Sequence, residues 1–228
     1  MREEVELYLK RVEKFRKNAE FNFDNGDYDL AMFHIEQAMQ LLVKAKMLDL
    51  KGYFERTHSL RKLLGDLKGI GEGVEVSEVE SFPRKYRTEL RNLERAYITS
   101  RYYFEEFFKE EVEEAFKALD ELRDTMERVD YFKDYGEYVK EMKVLMSKYL
   151  GEFEIYVFGS AVKGNYSIGL SDIDVAIVSD EFGSRENKLR VYDLLFEKYF
   201  DSPFEFHLLT MDEWKFFLRF IRKDFVKV

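Results

Sequence analysis

The sequence predicts an α + α/β chain, with a helical bundle over residues 1–132 followed by a small α/β domain over residues 133–228. Three observations predict it. Apolar residues recur at helical spacing through most of the first 150 residues. The period then changes, and "FEIYVF" (153–158) and "DIDVAIV" (172–178) are short, β-branched and aromatic, as strands are. A third such run, "PFEFHLL" (203–209), is separated from the second by the helical pattern "SRENKLRVYDLLFEKYF" and followed by another, "MDEWKFFLRFIRK".

Along the first part, Val5, Tyr8, Val12 and Phe15 mark a helix that stops at the turn signal Asn25-Gly26. A second helix carries Ala31, Ile35, Ala38, Leu42 and Ala45 on one stripe, with Asp27 as N-cap and Gly52 as terminator. A shorter helix begins at the cap-like Thr57. Gly69 to Ser81 reads as a Gly- and Glu-rich loop, and a helical pattern resumes after Pro83. "KEEVEEAFKALDELRDTMERV" is amphipathic with acids in its first turn, and "KDYGEYVKEMKVLMSKYL" leads into the second domain.

Composition narrows the function classes. A net charge of −9 argues against broad, non-specific nucleic-acid binding, which depends on Lys and Arg neutralising phosphates. The chain has no Cys, hence no disulfide and no thiolate metal site. No apolar run suffices to span a bilayer and the first residues lack a signal-peptide core, so no membrane partner and a cytoplasmic location are expected. The lack of Cys, the scarcity of Gln and Pro and the Glu/Lys-rich surface lean towards a thermophilic source.

The chemistry lies in "FGSAVKGNYSIGLSDIDVAIV" (158–178). A strand ending in Gly159-Ser160 and followed by a helical turn presents free backbone N–H groups to a phosphate chain; Gly159 allows close approach and Ser160 adds a hydroxyl. Asp172 and Asp174, two apart on a strand, point to one face. Carboxylates that close repel unless protonated or bridged by a cation. Hard divalent cations are held by carboxylates together with substrate phosphates, so the loop and the acid pair make a metal–triphosphate site.

"GSAVKGNYSIGLSDID" resembles the GS…DxD motif of the polymerase-β-like nucleotidyltransferases in their minimal (MNT) form. Gly159, Ser160, Gly164 and the Ser171-Asp172-Ile173-Asp174 run fit its pattern, and Lys163 stands where the family often has Arg. The resemblance implies a mixed β-sheet flanked by helices. It implies a third metal-site carboxylate on a later strand, for which Glu205 is the candidate, as ligand or general base. His207 shares its face and is expected as a neighbour that hydrogen-bonds or contacts nucleotide. By the same resemblance Asp172, Asp174 and Glu205 are the catalytic and metal residues, and Gly159, Ser160, Lys163 and Ser171 bind nucleotide. Two Mg²⁺ ions and an NTP, ATP first, are the implied cofactor and substrate.

"LAMFHIEQAMQLLVKAKML" followed by "THSLRKLL" resembles the HEPN family of helical bundles, often dimeric and often fused to or encoded beside MNT domains. This implies a homodimer through the helical domain and a protein or RNA acceptor. Many HEPN proteins are RNases with Arg-x(4–6)-His. The required positions hold Asp27, Tyr28 and Asp29 before His34, Lys51, Gly52 and Tyr53 before His58, and Phe200, Asp201 and Ser202 before His207. None is Arg, so the RNase motif is absent. His34 reads as a core or interface histidine, and His58 as a local hydrogen-bonding group. "GIGEG" (69–73) follows a helix and reads as a connector. "RAYITSRYYFEEFF" (95–108) reads as a packed helix face, with Tyr97, Tyr102 and Tyr103 the nearest candidates for a modified tyrosine. The expected activity is Mg²⁺-dependent transfer of a nucleoside monophosphate, AMP first, from the NTP to a hydroxyl on a protein or small molecule, with the helical bundle dimerising and positioning the acceptor. The alternative is a toxin–antitoxin-like module that binds nucleotide or RNA without turnover.

Overall fold

The structure, a computed structural model, describes residues 2–67, 77–102, 106–221 and 224–228. The chain divides into two compact units, the second beginning at Glu127 among the described residues. The boundary expected at residues 132/133 falls inside the helix that crosses this point.

The first unit contains α1 (Arg2–Asp24), α2 (Tyr28–Lys51), α3 (Leu60–Leu67), α4 (Ser77–Lys85), α5 (Arg87–Tyr102) and the first part of α6 (Lys109–Met146). Helix α2 is its centre. Burial is not confined to the predicted stripe, because Met32, Met39, Val43, Met47 and Leu48 are buried as well as Ala31, Ile35, Ala38, Leu42 and Ala45. A helix covered on most sides forces some polar residues inside. Glu36 and Gln40 are the result, at 0% and 2% exposure. The Glu36 carboxylate accepts hydrogen bonds from the side-chain amides of Gln37 and Gln40, and burial pushes its pKa up to about 7. The Gln40 amide also donates to the backbone oxygen of His58, tying α2 to the segment before α3.

Local structure departs from expectation in three places here. Gly52 ends α2 in the left-handed conformation (φ 77°), as expected, but the Asp27 side chain makes no capping hydrogen bond. Helix α3 starts at Leu60, not Thr57, and the Ser59 hydroxyl accepts the Lys62 N–H as its cap. The loop expected to Ser81 is corrected by α4, which starts at Ser77 and runs through Pro83. Val79 and Phe82, each 2% exposed, anchor that turn three residues apart, a pairing obscured in sequence by the intervening Glu80 and Ser81. "GIGEG" and Tyr103 lie outside the described residues, as does the side chain of Tyr102.

The second unit contains the rest of α6, whose backbone leaves helical geometry at Asp134 (φ −114°, ψ 21°). It continues with β1 (Glu154–Phe158), α7 (Ser160–Lys163), β2 (Ile173–Val178), α8 (Arg185–Tyr199), β3 (Phe204–Leu209), α9 (Met211–Ile221) and β4 (Phe225–Lys227). The sheet is mixed, in the order β3-β2-β1-β4: β2 and β3 run parallel, and β1 is antiparallel to both β2 and β4. The parallel pair needs a crossover, which α8 supplies. Strand β4 was not expected; three residues are too few for alternation to show.

One sheet face carries Ile173, Val175 and Ile177 of β2, all fully buried. Around its edge Tyr131, Tyr138 and Tyr199 make ring contacts with Phe204. The other face carries Tyr156, Phe158, Ala176 and Val178, covered by α9 through Trp214 and Phe217. Trp214 stacks on Tyr156 with ring centroids 4.5 Å apart. No helix among the described residues is long and apolar enough to cross a membrane.

Candidate active site

The α9-covered face does not stay apolar to its end. Alternation along β2 places Asp174 on the same face as Ala176 and Val178, and Asp174 is paired with Phe158 of β1 on one side and Glu205 of β3 on the other. His207 follows Glu205 on the same face, opposite Ala176. Phe158 ends its strand and the chain turns at once.

Gly159 makes that turn at φ 80°, ψ −149°, a region open essentially to glycine alone. A Cβ at Gly159 would lie inside van der Waals contact of the Asp174 carboxylate, so the turn's backbone is packed directly against that group. Ser160 opens the short α7, and Gly164 closes it with φ 69°.

Asp174, Glu205 and His207 each bring a ligand-capable atom to within 4.8 Å of the others. His207 Nε2 stands 3.3 Å from Asp174 Oδ1 and 3.8 Å from Glu205 Oε1. Their side chains are 26% (Asp174), 58% (Glu205) and 24% (His207) exposed, so the group opens to solvent on the Glu205 side. The imidazole is held between aromatic rings, with centroids 5.2 Å from Phe158 and 5.7 Å from Phe217. Two carboxylates and an imidazole at these separations fit a divalent cation.

Asp172 is not a member of that group. Strand β2 starts one residue after it, at Ile173, and Asp172 is exposed. It therefore stands one residue ahead of the ladder that fixes Asp174. Lys163 forms a salt bridge with Asp224 at 3.1 Å. The Ser171 hydroxyl accepts the Ser167 N–H at 3.0 Å, so it braces the loop between α7 and β2.

Arg128 carries no signal of this role in the sequence. From α6 its guanidinium donates to the backbone oxygens of Ile168 and Ser171, the latter at 2.7 Å, and so fixes the loop that delivers Asp172 and β2. The clustering of His207 with the acids did leave a signal, the Glu-x-His spacing on one strand.

The other histidines lie in the first unit. His34 contacts the rings of Phe15 and Phe33, its Nδ1 has no hydrogen-bond partner among the described residues, and burial pushes its pKa down. His58 stacks on Tyr97 with centroids 5.4 Å apart.

Two family models match the chain, a HEPN domain over residues 5–129 and a nucleotidyltransferase domain over residues 137–228. Three solved structures are similar to parts of it. One, provisionally named a nucleotidyltransferase, is 54% identical and covers 40% of this chain and 97% of its own, with a TM-score of 0.37. TT1696 from Thermus thermophilus is 22% identical over 54% of this chain and 95% of its own, with a TM-score of 0.43. ST0689, an archaeal HEPN homologue, is 22% identical over 54% of this chain and 94% of its own, with a TM-score of 0.40. No curated protein matches.

Proposed function

We propose, from the premise that this chain belongs to the HEPN family and carries a nucleotidyltransferase domain after its HEPN domain, that it moves a nucleoside monophosphate from an NTP to a hydroxyl. ATP is the first donor to test, and the acceptor hydroxyl belongs to a protein or a small molecule. The observation that carries this reading is the sheet register that sets Asp174 beside Glu205 with the Gly159 turn packed on the Asp174 carboxylate.

Each residue then has a task. The Gly159-Ser160 turn binds the triphosphate through its backbone and hydroxyl. Asp174 and Glu205 would hold a divalent cation, with Asp172, at the strand's start, the further carboxylate assigned to it; magnesium is the ion the sequence resemblance implies. Such a cation, when bound, neutralises charge on the phosphoryl oxygens. The acceptor oxygen bonds to the α-phosphorus as the bond from that phosphorus to the pyrophosphate oxygen breaks. Pyrophosphate leaves, and the hydroxyl proton passes to Glu205, the most exposed of the three. The helical unit is assigned dimerisation and acceptor positioning, with Tyr97 a candidate acceptor within it.

The place of Asp172 outside the three-donor group favours a second reading, nucleotide binding without turnover. One experiment separates the two. The full chain is incubated with α-labelled ATP and a divalent cation, and label transfer, pyrophosphate release and intact mass are followed. The first reading expects pyrophosphate and a covalent nucleotide adduct on the protein or a supplied acceptor, both lost in Asp174→Asn. ATP binding with no pyrophosphate overturns it in favour of the second.

A further inference from the structure

The third donor of the site is a nitrogen, and this bears on which metal the site takes. Ligands cis to one another on an ion with bonds of about 2.1 Å stand about 3 Å apart. The 3.3 Å and 3.8 Å separations from His207 Nε2 to the two carboxylates are within a small side-chain adjustment of that edge. The ring cannot easily swing away, because Phe158 packs on one part of it and Phe217 on another. Both contacts come from the sheet and α9, not from a loop. Imidazole is a poor ligand for magnesium, which takes oxygen, and a better one for first-row transition ions, among which manganese is the weakest binder and the nearest to magnesium in its other ligand preferences.

We infer that His207 Nε2 is a metal ligand and that it makes the Asp174–Glu205 site select manganese(II) over magnesium. This rests on the nucleotidyltransferase reading of the site and deepens it. His207 would thus be a specificity-determining residue, acting on the choice of ion and not on the reacting atoms. The competing account of the same geometry is an Asp174–His207 hydrogen bond that persists with metal bound by oxygen alone.

The test uses the full chain stripped with chelator and titrated with manganese chloride, with and without inorganic tripolyphosphate, which contains no nitrogen. Binding is read from the loss of the free-ion electron paramagnetic resonance signal, and the ligand from nitrogen-14 modulation in the pulsed spectrum. The expected result is manganese binding that depends on Asp174, with imidazole nitrogen coupling in the wild type. In His207→Gln the coupling disappears and the preference for manganese over magnesium, measured by competition, falls about tenfold. Asp174-dependent binding without nitrogen coupling, read on the wild type itself, overturns the role of His207 and leaves the site intact. Manganese binding that Asp174→Asn leaves unchanged, or no binding at all, overturns the site and the proposal together.

Discussion

Glu36 in the helical unit is fully buried and has side-chain amides for company, whereas Asp174 and Glu205 in the sheet unit stay partly exposed beside an imidazole. The first environment raises the pKa to about 7 through burial, because desolvation penalises the charged form more than two amide donors favour it. The Lys44 ammonium, which donates to Gln40, offsets this burial only in part. The second environment keeps two carboxylates adjacent across a parallel pair of strands, where their repulsion is relieved by a proton or by positive charge beside them. The same functional group is thus sealed into packing in one unit and left open to solvent in the other. Solvent access and the nature of the neighbouring donors distinguish the two uses.

The largest effect expected is at the sheet site. Asp174→Asn should lower transfer by about 10²–10³-fold or more, measured as pyrophosphate release, while shifting unfolding in urea by less than about 1 kcal/mol. The matching change in the other unit, Glu36→Gln, should do the reverse and leave transfer unchanged while altering stability. Glu36 is protonated more readily folded than unfolded, so its favourable contribution is complete below its ordinary value of 4.5 and is lost as pH rises to about 7. Above that window the wild type should be on the order of 3 kcal/mol less stable than at low pH from this group alone. Glu36→Gln should flatten that dependence in urea titrations at pH 5 and pH 8. A wild type equally stable at both would break the contrast.

Glycine substitutions sharpen it at smaller scale. Gly159 and Gly164 both have positive φ, but only Gly159 has a neighbour where a Cβ would go, and that neighbour is the Asp174 carboxylate. Gly164→Ala should cost about 1 kcal/mol from backbone strain. Gly159→Ala should cost about 1–3 kcal/mol, and because it displaces Asp174 it should also reduce divalent-cation binding, which Gly164→Ala should not. Calorimetric titration with manganese on both variants, alongside thermal melts, checks the difference.

Most of this architecture was legible in the sequence because its signals are local and periodic. The change from helical spacing to β-branched runs after residue 150, the Gly-Ser turn, the Asp-x-Asp run and the Glu-x-His alternation each lie within a few residues. What escaped depends on long-range contacts or on ladder register. That β2 begins at Ile173 is decided by pairing with Phe204 of β3, which spacing within "SDID" does not reveal. Strand β4 exists because Phe225 finds Phe158, sixty-seven residues earlier by their numbers. Helix α4 shows the opposite failure, in which a local cue was overruled: the proline and the acids suggest a loop, yet Val79 and Phe82 are buried deeply enough to hold a helix.

The smallest effect concerns how each unit holds the chain next to its carboxylates. In the helical unit Gln40 donates both to Glu36 and to the His58 oxygen, so one side chain joins the buried acid to a loop. In the sheet unit the loop is held by Arg128, which touches neither Asp174 nor Glu205 but donates to Ile168 and Ser171, the residue before Asp172. Losing this clamp leaves two carbonyls to water and frees the loop without emptying the core. Arg128→Ala should therefore lower transfer by about tenfold, or about 1.4 kcal/mol in the barrier, through disorder of Asp172 and not through loss of a reacting group. Manganese binding should weaken only modestly, through Asp172, whereas Asp174→Asn removes it. Arg128→Lys should not restore the rate, because one ammonium cannot reproduce a planar guanidinium's simultaneous donation to two separated carbonyl oxygens. A full rate in Arg128→Ala would mean that the Ser167–Ser171 hydrogen bonds hold the loop unaided, and that Asp172 needs no clamp from α6.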